Sequence, residues 1–332
     1  MWRTAPRPAA RAGAAFAVMA EPASMSRLGG RDFGPLQWRG GLRLRADDPR
    51  FGGFSGLILG RDGRRLLAVS DHGYWWRARL AYDDKGYLSG LASSGVMAHV
   101  LSSRATPLGG KWRDAEALAP YDARYLSGPV LTGFERKERL ALYDWGSRGA
   151  RTAARYIPLP PGVSLGRNNG ELEAAARFWA GPRKGWFIAA GEKNFDARGN
   201  VRAWLWKGKT ILPFSIVRLG HFRVTDMAVL PDGKGFITLE RRFSRKLKVL
   251  PAFALRLFRT ADIERGRTVP GRLLLKAGWP AYAIDNMEGL SIHRHDGGEL
   301  RLTIISDDNY NRALQSTLLF QFALSEKALA GL

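Results

Sequence analysis

Five segments of the chain repeat one pattern, and a repeat of this length constrains the fold more than any other feature of the sequence. They are Phe54-Ser55-Gly56-Leu57, Ala115-Glu116-Ala117-Leu118, Leu172-Glu173-Ala174-Ala175, Val224-Thr225-Asp226-Met227 and Met287-Glu288-Gly289-Leu290. With Ser55, Glu116, Glu173, Thr225 and Glu288 taken as equivalent, the spacings are 61, 57, 52 and 63 residues. Each marker opens a strand-like run. Each is followed 15 to 19 residues later by an acid that ends a second apolar run: Asp71, Glu135, Glu192, Glu240 and Asp307. Asp62-Gly63, Asp232-Gly233 and Asp296-Gly297 lie between the two runs in three units, and strand, Asp-Gly, strand is a hairpin signal. A second hairpin fits the remainder of each unit, as at Trp204 to Leu212.

Two hairpins per unit make a four-stranded blade, so the chain is expected to be all-β: a β-propeller with five visible repeats and therefore five or six blades. Gly and Pro total 39 and 17, and sustained apolar spacing at three and four is scarce, which argues against long helices. The final unit is short, yet Thr317 to Leu324 alternates as a strand, and so does Leu42 to Arg45. Pairing these within one blade would close the ring and remove an exposed edge. The expected organisation is a leader or disordered basic segment over 1–34, a propeller domain over 35–325 and a tail over 326–332.

In an antiparallel hairpin the start of the first strand faces the end of the second. The markers of each unit should therefore meet: Ser55 with Asp71, Glu116 with Glu135, Glu173 with Glu192, Thr225 or Asp226 with Glu240, and Glu288 with Asp307. Radial repetition then gathers every pair into a crown at one end of the ring. Facing carboxylates repel, and a chain of net charge +22 has no general excess of acid to scatter. Two kinds of charge could compensate them. Arg136, Lys193 and Arg241 each follow a marker acid and are the candidate anion-binding side chains. A hard divalent cation, Ca²⁺ foremost, is the other, since it takes six to eight oxygens; Glu116, Glu135, Glu173, Glu192, Glu288, Asp307 and Asp308 are its candidate ligands. Equally, the acids could accept from backbone amides of neighbouring blades and hold the ring together.

The strings Phe51-Gly52-Gly53-Phe54-Ser55-Gly56-Leu57, Ser70-Asp71-His72-Gly73, Asp114-Ala115-Glu116-Ala117-Leu118, Asn168 to Glu173, Thr225-Asp226-Met227, Asp285 to Leu290 and Ser306-Asp307-Asp308-Asn309 resemble the bacterial phytase-like family, whose name describes an esterase-like activity. The similarity runs from about Leu36 to Leu324. It implies recurring acidic positions that support phosphoester chemistry, here Asp71, Glu116, Glu173, Glu288, Asp307 and Asp308, often in exported proteins. By name the family is related to calcium-dependent propeller phytases, which are six-bladed where this chain shows five repeats.

Other chemistries fit less well. Gly53-Phe54-Ser55-Gly56-Leu57 lacks the last glycine of a nucleophile elbow. Gly208-Lys209-Thr210 ends like a phosphate-binding loop, but Ala203 stands in place of its first glycine. Asp307 to Asn311 opens like an EF-hand loop and then meets Arg312 where glycine belongs. Without cysteine there is no disulfide, thiolate zinc site or thiol nucleophile. The five histidines form no His-Glu-x-x-His, and His293 and His295 read as turn histidines rather than a zinc pair. His72, directly after Asp71, is the candidate acid/base group beside Asp71 and Glu116, or a hydrogen-bonded turn residue.

The charge favours anionic partners: a phosphorylated small molecule first, and an anionic membrane surface. Nucleic acid ranks below both, because no zinc-finger spacing, basic-zipper heptad or RNA-binding signature accompanies it. Arg3, Arg7 and Arg11 followed by the apolar run Ala12 to Ala20 have the order of an export signal, which points to the periplasm or secretion; a basic tail or misplaced start codon would leave the protein cytoplasmic. No run of 18 apolar residues occurs. Two functions remain in view: cation-assisted phosphoester hydrolysis, and a non-catalytic propeller that binds a ligand or partner with its acids structural.

Overall fold

The computed structural model describes residues 16–161, 163, 172–244, 249–295 and 298–330. The Asp296-Gly297 turn, Asn168 to Glu171, and Arg245, Lys246 and Lys248 lie outside them. The described chain forms five sheets arranged as a β-propeller. Blade 1 consists of Phe54–Leu59, Arg65–Ser70, Tyr74–Tyr82 and Leu88–His99. Blade 2 is Ala115–Pro120, Val130–Phe134, Arg139–Tyr143 and Arg155–Ile157. Blade 3 is Ala174–Arg177, Phe187–Phe195, Val201–Lys207 and Thr210–Ile216, and blade 4 is Arg223–Val229, Gly235–Ser244, Val249–Arg259 and Arg272–Gly278.

Blade 5 draws on both ends of the chain. Asn286–Arg294, Leu300–Asp307 and Thr317–Leu324 pair in order, and Leu36–Arg45 completes them, with Leu44 opposite Thr317 and Leu36 opposite Leu324. The closure expected from the alternating terminal strands is the one observed. The boundary expected at residue 35 differs. Met19–Pro22 adds a further strand against Leu42 to Arg45, Asp32–Phe33 pairs with Leu36 and Gln37, and Met25 and Phe33 are buried. At the other end Glu326–Leu329 is a short helix whose Ala328 is buried in the core of blade 5. Residues 19–33 and 326–329 therefore pack on the propeller, because they cover apolar surface that the outer strands leave open.

The inner strands read as continuous apolar runs because blades stack on both of their faces; Phe54–Leu59 is buried throughout. Their hairpins follow from turn chemistry. In blade 1 the Gly63 amide donates to the Gly60 carbonyl at 2.8 Å with Gly63 at φ +65°, and Asp62 Oδ1 accepts from the amides of Arg64 and Arg65.

Polar side chains bind blade to blade. The Leu59 amide donates to Ser291 Oγ at 2.8 Å, joining blades 1 and 5. Asp226, wholly buried, accepts from the Met227 amide at 2.7 Å and from the Leu290 amide of blade 5 at 2.6 Å. Removing an acceptor from buried donors costs about 1–3 kcal/mol. Asp226→Ala is expected to lose about that much, read as a lower denaturation midpoint at unchanged m-value. On the channel axis Leu57, Leu118, Ala176, Met227, Leu290 and Ile292 converge and leave only about 10 Å³, barely room for one water. The ring is plugged.

Candidate functional site

In four blades the marker residue is the extra residue of a β-bulge. The register jumps from Phe54 to Gly56, from Ala115 to Ala117, from Val224 to Asp226 and from Met287 to Gly289, so Ser55, Glu116, Thr225 and Glu288 fall out of the ladder. A bulge re-aims the side chain it carries. In blade 3, Glu173 directly precedes the strand Ala174–Arg177. The second markers arrive where the hairpin argument places them: the Asp71 amide donates to the Gly53 carbonyl, the Glu135 amide to the Asp114 carbonyl, and Asp307 is opposite Asn286.

The outcome is a cavity of about 510 Å³ at the crown end, lined from all five blades. Ser55, Asp71, Glu116, Glu135, Glu173, Glu192, Glu288 and Asp307 face it, and so do Arg136, Lys193 and Arg241. The expected fifth pair does not. Thr225 Oγ1 donates to the carbonyls of Leu239 and Met287, and Glu240 turns into blade 4, where it pairs with buried Arg256 at 2.6 Å.

Two further candidates, Asp308 and His72, lie outside the lining of the crown cavity. Asp308 is outside the crown cavity: Oδ1 accepts from the Gly53 and Tyr310 amides, both at 3.1 Å, and Oδ2 from Thr317 Oγ1. Consecutive side chains diverge, so with Asp307 in the cavity Asp308 points into the clasp between blades 5 and 1. His72, which directly follows Asp71, is likewise absent from the cavity lining. Its ring stacks on Tyr310 at 4.2 Å, outside the cavity lining, and burial, then the Arg113 charge, lowers its pKa. Gly52 and Gly53 complete the clasp, at φ +126° and +63°. A Cβ at Gly52 would strike the Asp308 carboxylate, and one at Gly53 would strike Asp71 and Tyr310.

Lining residues that the repeat did not single out are Asp114, Arg218, His221, Arg223, Arg242 and Asn309. Some signal for them existed. Asp114, Arg223 and Asn286 stand two residues before their markers, at or just before the start of the first strand; Asn286 Nδ2 donates to Glu288 Oε1 at 2.6 Å.

Charge is distributed unevenly around the cavity. On the side of blades 3 and 4, Glu192 meets Lys193 at 2.8 Å, Arg241 at 3.3 Å and Arg223 at 3.5 Å. Arg241 also reaches Glu288 at 3.2 Å and donates to Asn286 Oδ1 at 2.9 Å. Burial opposes the charge on Glu192, but Arg241, Lys193 and Arg223 outweigh it and hold the carboxyl below its usual range. Arg241 is likewise held charged against burial by Glu288, Glu192, Glu173 and Asp307.

The opposite side is acidic. Asp114, Glu116 and Glu135 offer oxygens within 4.8 Å of one another, with Arg136 on Asp114 at 2.6 Å. Burial, then Glu173 and Glu288, pushes Glu116 well up; burial, then Glu192 and Glu135, does the same to Glu173. Asp307 is raised by burial and by Glu288 and Asp71. Asp71 is raised to about 7 by burial, Glu288 and Asp114. Its Oδ1 has no hydrogen-bond partner among the described residues.

No curated protein matches the sequence. Among solved structures, the β-propeller domain of Cps50 (Swd1) from Myceliophteria thermophila aligns at 10% identity and a TM-score of 0.36, over 78% of this chain and 64% of that one. The family described as "Phytase-like: Esterase-like activity of phytase" matches residues 49–310, most of the chain. The protein belongs to the phytase-like family.

Proposed function

We propose that the crown cavity hydrolyses a phosphoester of an anionic substrate, with a hard divalent cation, Ca²⁺ first, held by Asp114, Glu116 and Glu135. The observation that carries this reading is the division of one cavity into a carboxylate wall and a cationic wall. The donor set fits the ion: carboxylate oxygens only, clustered within 4.8 Å. Glu173, Glu288 and Asp307 complete the acidic field around them.

When bound, the cation would polarise a phosphoryl oxygen and offset charge that develops on it. The protein's own groups do the rest. Lys193, Arg223 and Arg241 draw the remaining phosphoryl oxygens to the opposite wall and fix the ester between the two. Asp71, its proton loosely held near neutral pH and its Oδ1 unengaged, is suited to pass a proton to or from the reacting oxygens. The apolar plug keeps bulk water from reaching the site from below. The family description supports this reading as well.

A non-catalytic binding propeller is favoured by one observation: Asp226, Glu240 and Asp308, at repeat positions, hold structure and face no cavity substrate. Assay of purified protein on phosphomonoesters and phosphodiesters, with Ca²⁺ and with chelator, separates the two. The melting temperature adds a readout independent of turnover. A ligand that binds only the folded state stabilises it by about 2.7 kcal/mol at one hundred times its dissociation constant. Ca²⁺ is expected to raise the melting temperature of chelator-treated protein, and Glu116→Gln to abolish that rise while leaving the fold intact. No response to Ca²⁺, Mg²⁺ or Mn²⁺ would sink the cation.

A further inference from the structure

We propose that the crown end is also a docking face for an anionic lipid bilayer. The inference stands on surface chemistry and does not depend on hydrolysis, although a docked crown would present its cavity to lipid phosphoesters if that reading holds.

The exposed apolar side chains are the first observation. Trp112, Val217, Leu250, Trp279 and Leu314 are 50%, 36%, 45%, 45% and 79% exposed. Strand direction places them all at one end. Each first strand leaves the crown at its marker and each second strand returns to it, so third strands leave and fourth strands return. Val217 directly follows the fourth strand of blade 3, and Trp279 the fourth strand of blade 4. Leu250 sits where the third strand of blade 4 sets out, and the Trp279 amide donates to the neighbouring Pro251 carbonyl. Leu314 lies between Asp307 and Thr317, and Trp112 two residues before Asp114. Leu273, Tyr156 and Met19, also exposed, lie within outer strands instead, and Leu28, 92% exposed, lies between the strands Met19–Pro22 and Asp32–Phe33.

These anchors come from strand ends and loops of four blades at the crown end and do not form a groove; none of them lines the cavity itself. A set of separate apolar tips matches a broad, deformable surface. Scattered exposed apolar residues are ordinary, but their gathering at one end is not required by the fold.

Charge is the second observation and selects the lipid. Inside the cavity Arg136 is paired with Asp114, and Lys193 and Arg223 with Glu192, so the cations left to act beside the anchors are Lys137, near the Trp112 ring, and Arg218 and Arg242. Arg218 and Arg242 are braced on the rings of Phe195 and Phe222. On a protein of net charge +22, apolar tips interleaved with cations favour an anionic interface, where each cation near the surface adds to the attraction.

The test is co-sedimentation of the full chain with vesicles of equimolar phosphatidylcholine and phosphatidylglycerol, beside vesicles of phosphatidylcholine alone. Binding is expected to the first and to be weak to the second. The double variant Leu250→Ser/Trp279→Ser should lower partitioning to anionic vesicles by about tenfold or more, since anchoring scales with buried apolar area. Leu273→Ser, on an outer strand, is the control and should bind as the wild type. Circular dichroism and melting temperature confirm that the variants are folded. The proposal is overturned if the wild type stays in the supernatant with anionic vesicles, or if the double variant binds as well as the control. It is also overturned if ultracentrifugation without lipid shows the anchors burying themselves in a second copy, or if duplex oligonucleotide binding depends on Leu250 and Trp279 equally. Turnover is measured in parallel on a water-soluble phosphoester, so loss of docking and loss of catalysis are read separately.

Discussion

Asp71→Asn is expected to reduce phosphoester turnover by about 10²–10⁴-fold, the contribution typical of a positioned proton-transfer group. The same substitution should raise the melting temperature above neutral pH. Both follow from one carboxyl group set between Glu288 and Asp114 and raised to about 7. Because its folded pKa lies above the unfolded value, the folded state holds the proton more tightly, and ionisation penalises folding as pH rises from about 4 towards 7. The amide keeps the shape and cannot ionise. In chelator, the variant's stability advantage should therefore be absent near pH 4 and complete above pH 7, while kcat/KM of the wild type shows an apparent pKa near 7. Turnover unchanged in the variant would remove Asp71 from the chemistry. Turnover lost together with stability would mean that it only supports the fold.

Arg241→Met carries the second large effect. Removing one member of a buried charge network typically costs about 3–5 kcal/mol, and the low end applies here because the side chain is 23% exposed. The methionine fills similar space but leaves Glu192, Glu288 and Glu173 facing one another without their shared counter-charge. The pH dependence gives the diagnostic sign. Glu192 in the wild type is held below its usual range, so its contribution is present above its unfolded pKa and is lost as pH falls. In the variant the carboxylates repel and take up protons, so its stability should rise as the solution is acidified from neutrality. The gap between the two stability curves should narrow as the pH falls towards 4. A constant gap between pH 4 and 8 would show that Arg241 acts by packing rather than by charge.

The crown was legible in the sequence because its acids are bound to the repeat. Once the turn is fixed, the start of the first strand and the end of the second fall at the same end of the blade, so spacing brings Glu116 and Glu135, and Glu288 and Asp307, to one end, although the ladder partner of Asp307 is Asn286. Closure of the ring followed from alternation in Thr317 to Leu324 and Leu42 to Arg45. What spacing does not carry is the direction of a side chain outside the ladder. Asp307 and Asp308 are adjacent carboxylates with different work, and only the turn that bonds Asp308 to Gly53 tells them apart. Glu240 occupies a marker position yet leaves the cavity, because Arg256, on the strand beside it, offers a buried partner. Arg218 comes from the connection between blades 3 and 4, and Arg242 from the part of Gly235–Ser244 that runs on past the marker Glu240, so the repeat marks neither. Met19–Pro22 was hidden for another reason: four residues with mixed exposure have no pattern of their own and pair only because Leu42 to Arg45 offers an edge.

The plug beneath the crown gives the cavity a single door. Leu57, Leu118, Met227 and Leu290 close the axis, so nothing that enters at the crown can leave at the far end of the ring. Arrival and departure must therefore alternate. Under the proposed function, an anionic product leaving past Lys193 and Arg223 would occupy the passage that the next molecule needs, and the same cations that draw a substrate in would slow the release of what remains. The pace of such a site would be set at its mouth, by how firmly the rim holds an anion that has already given up its ester.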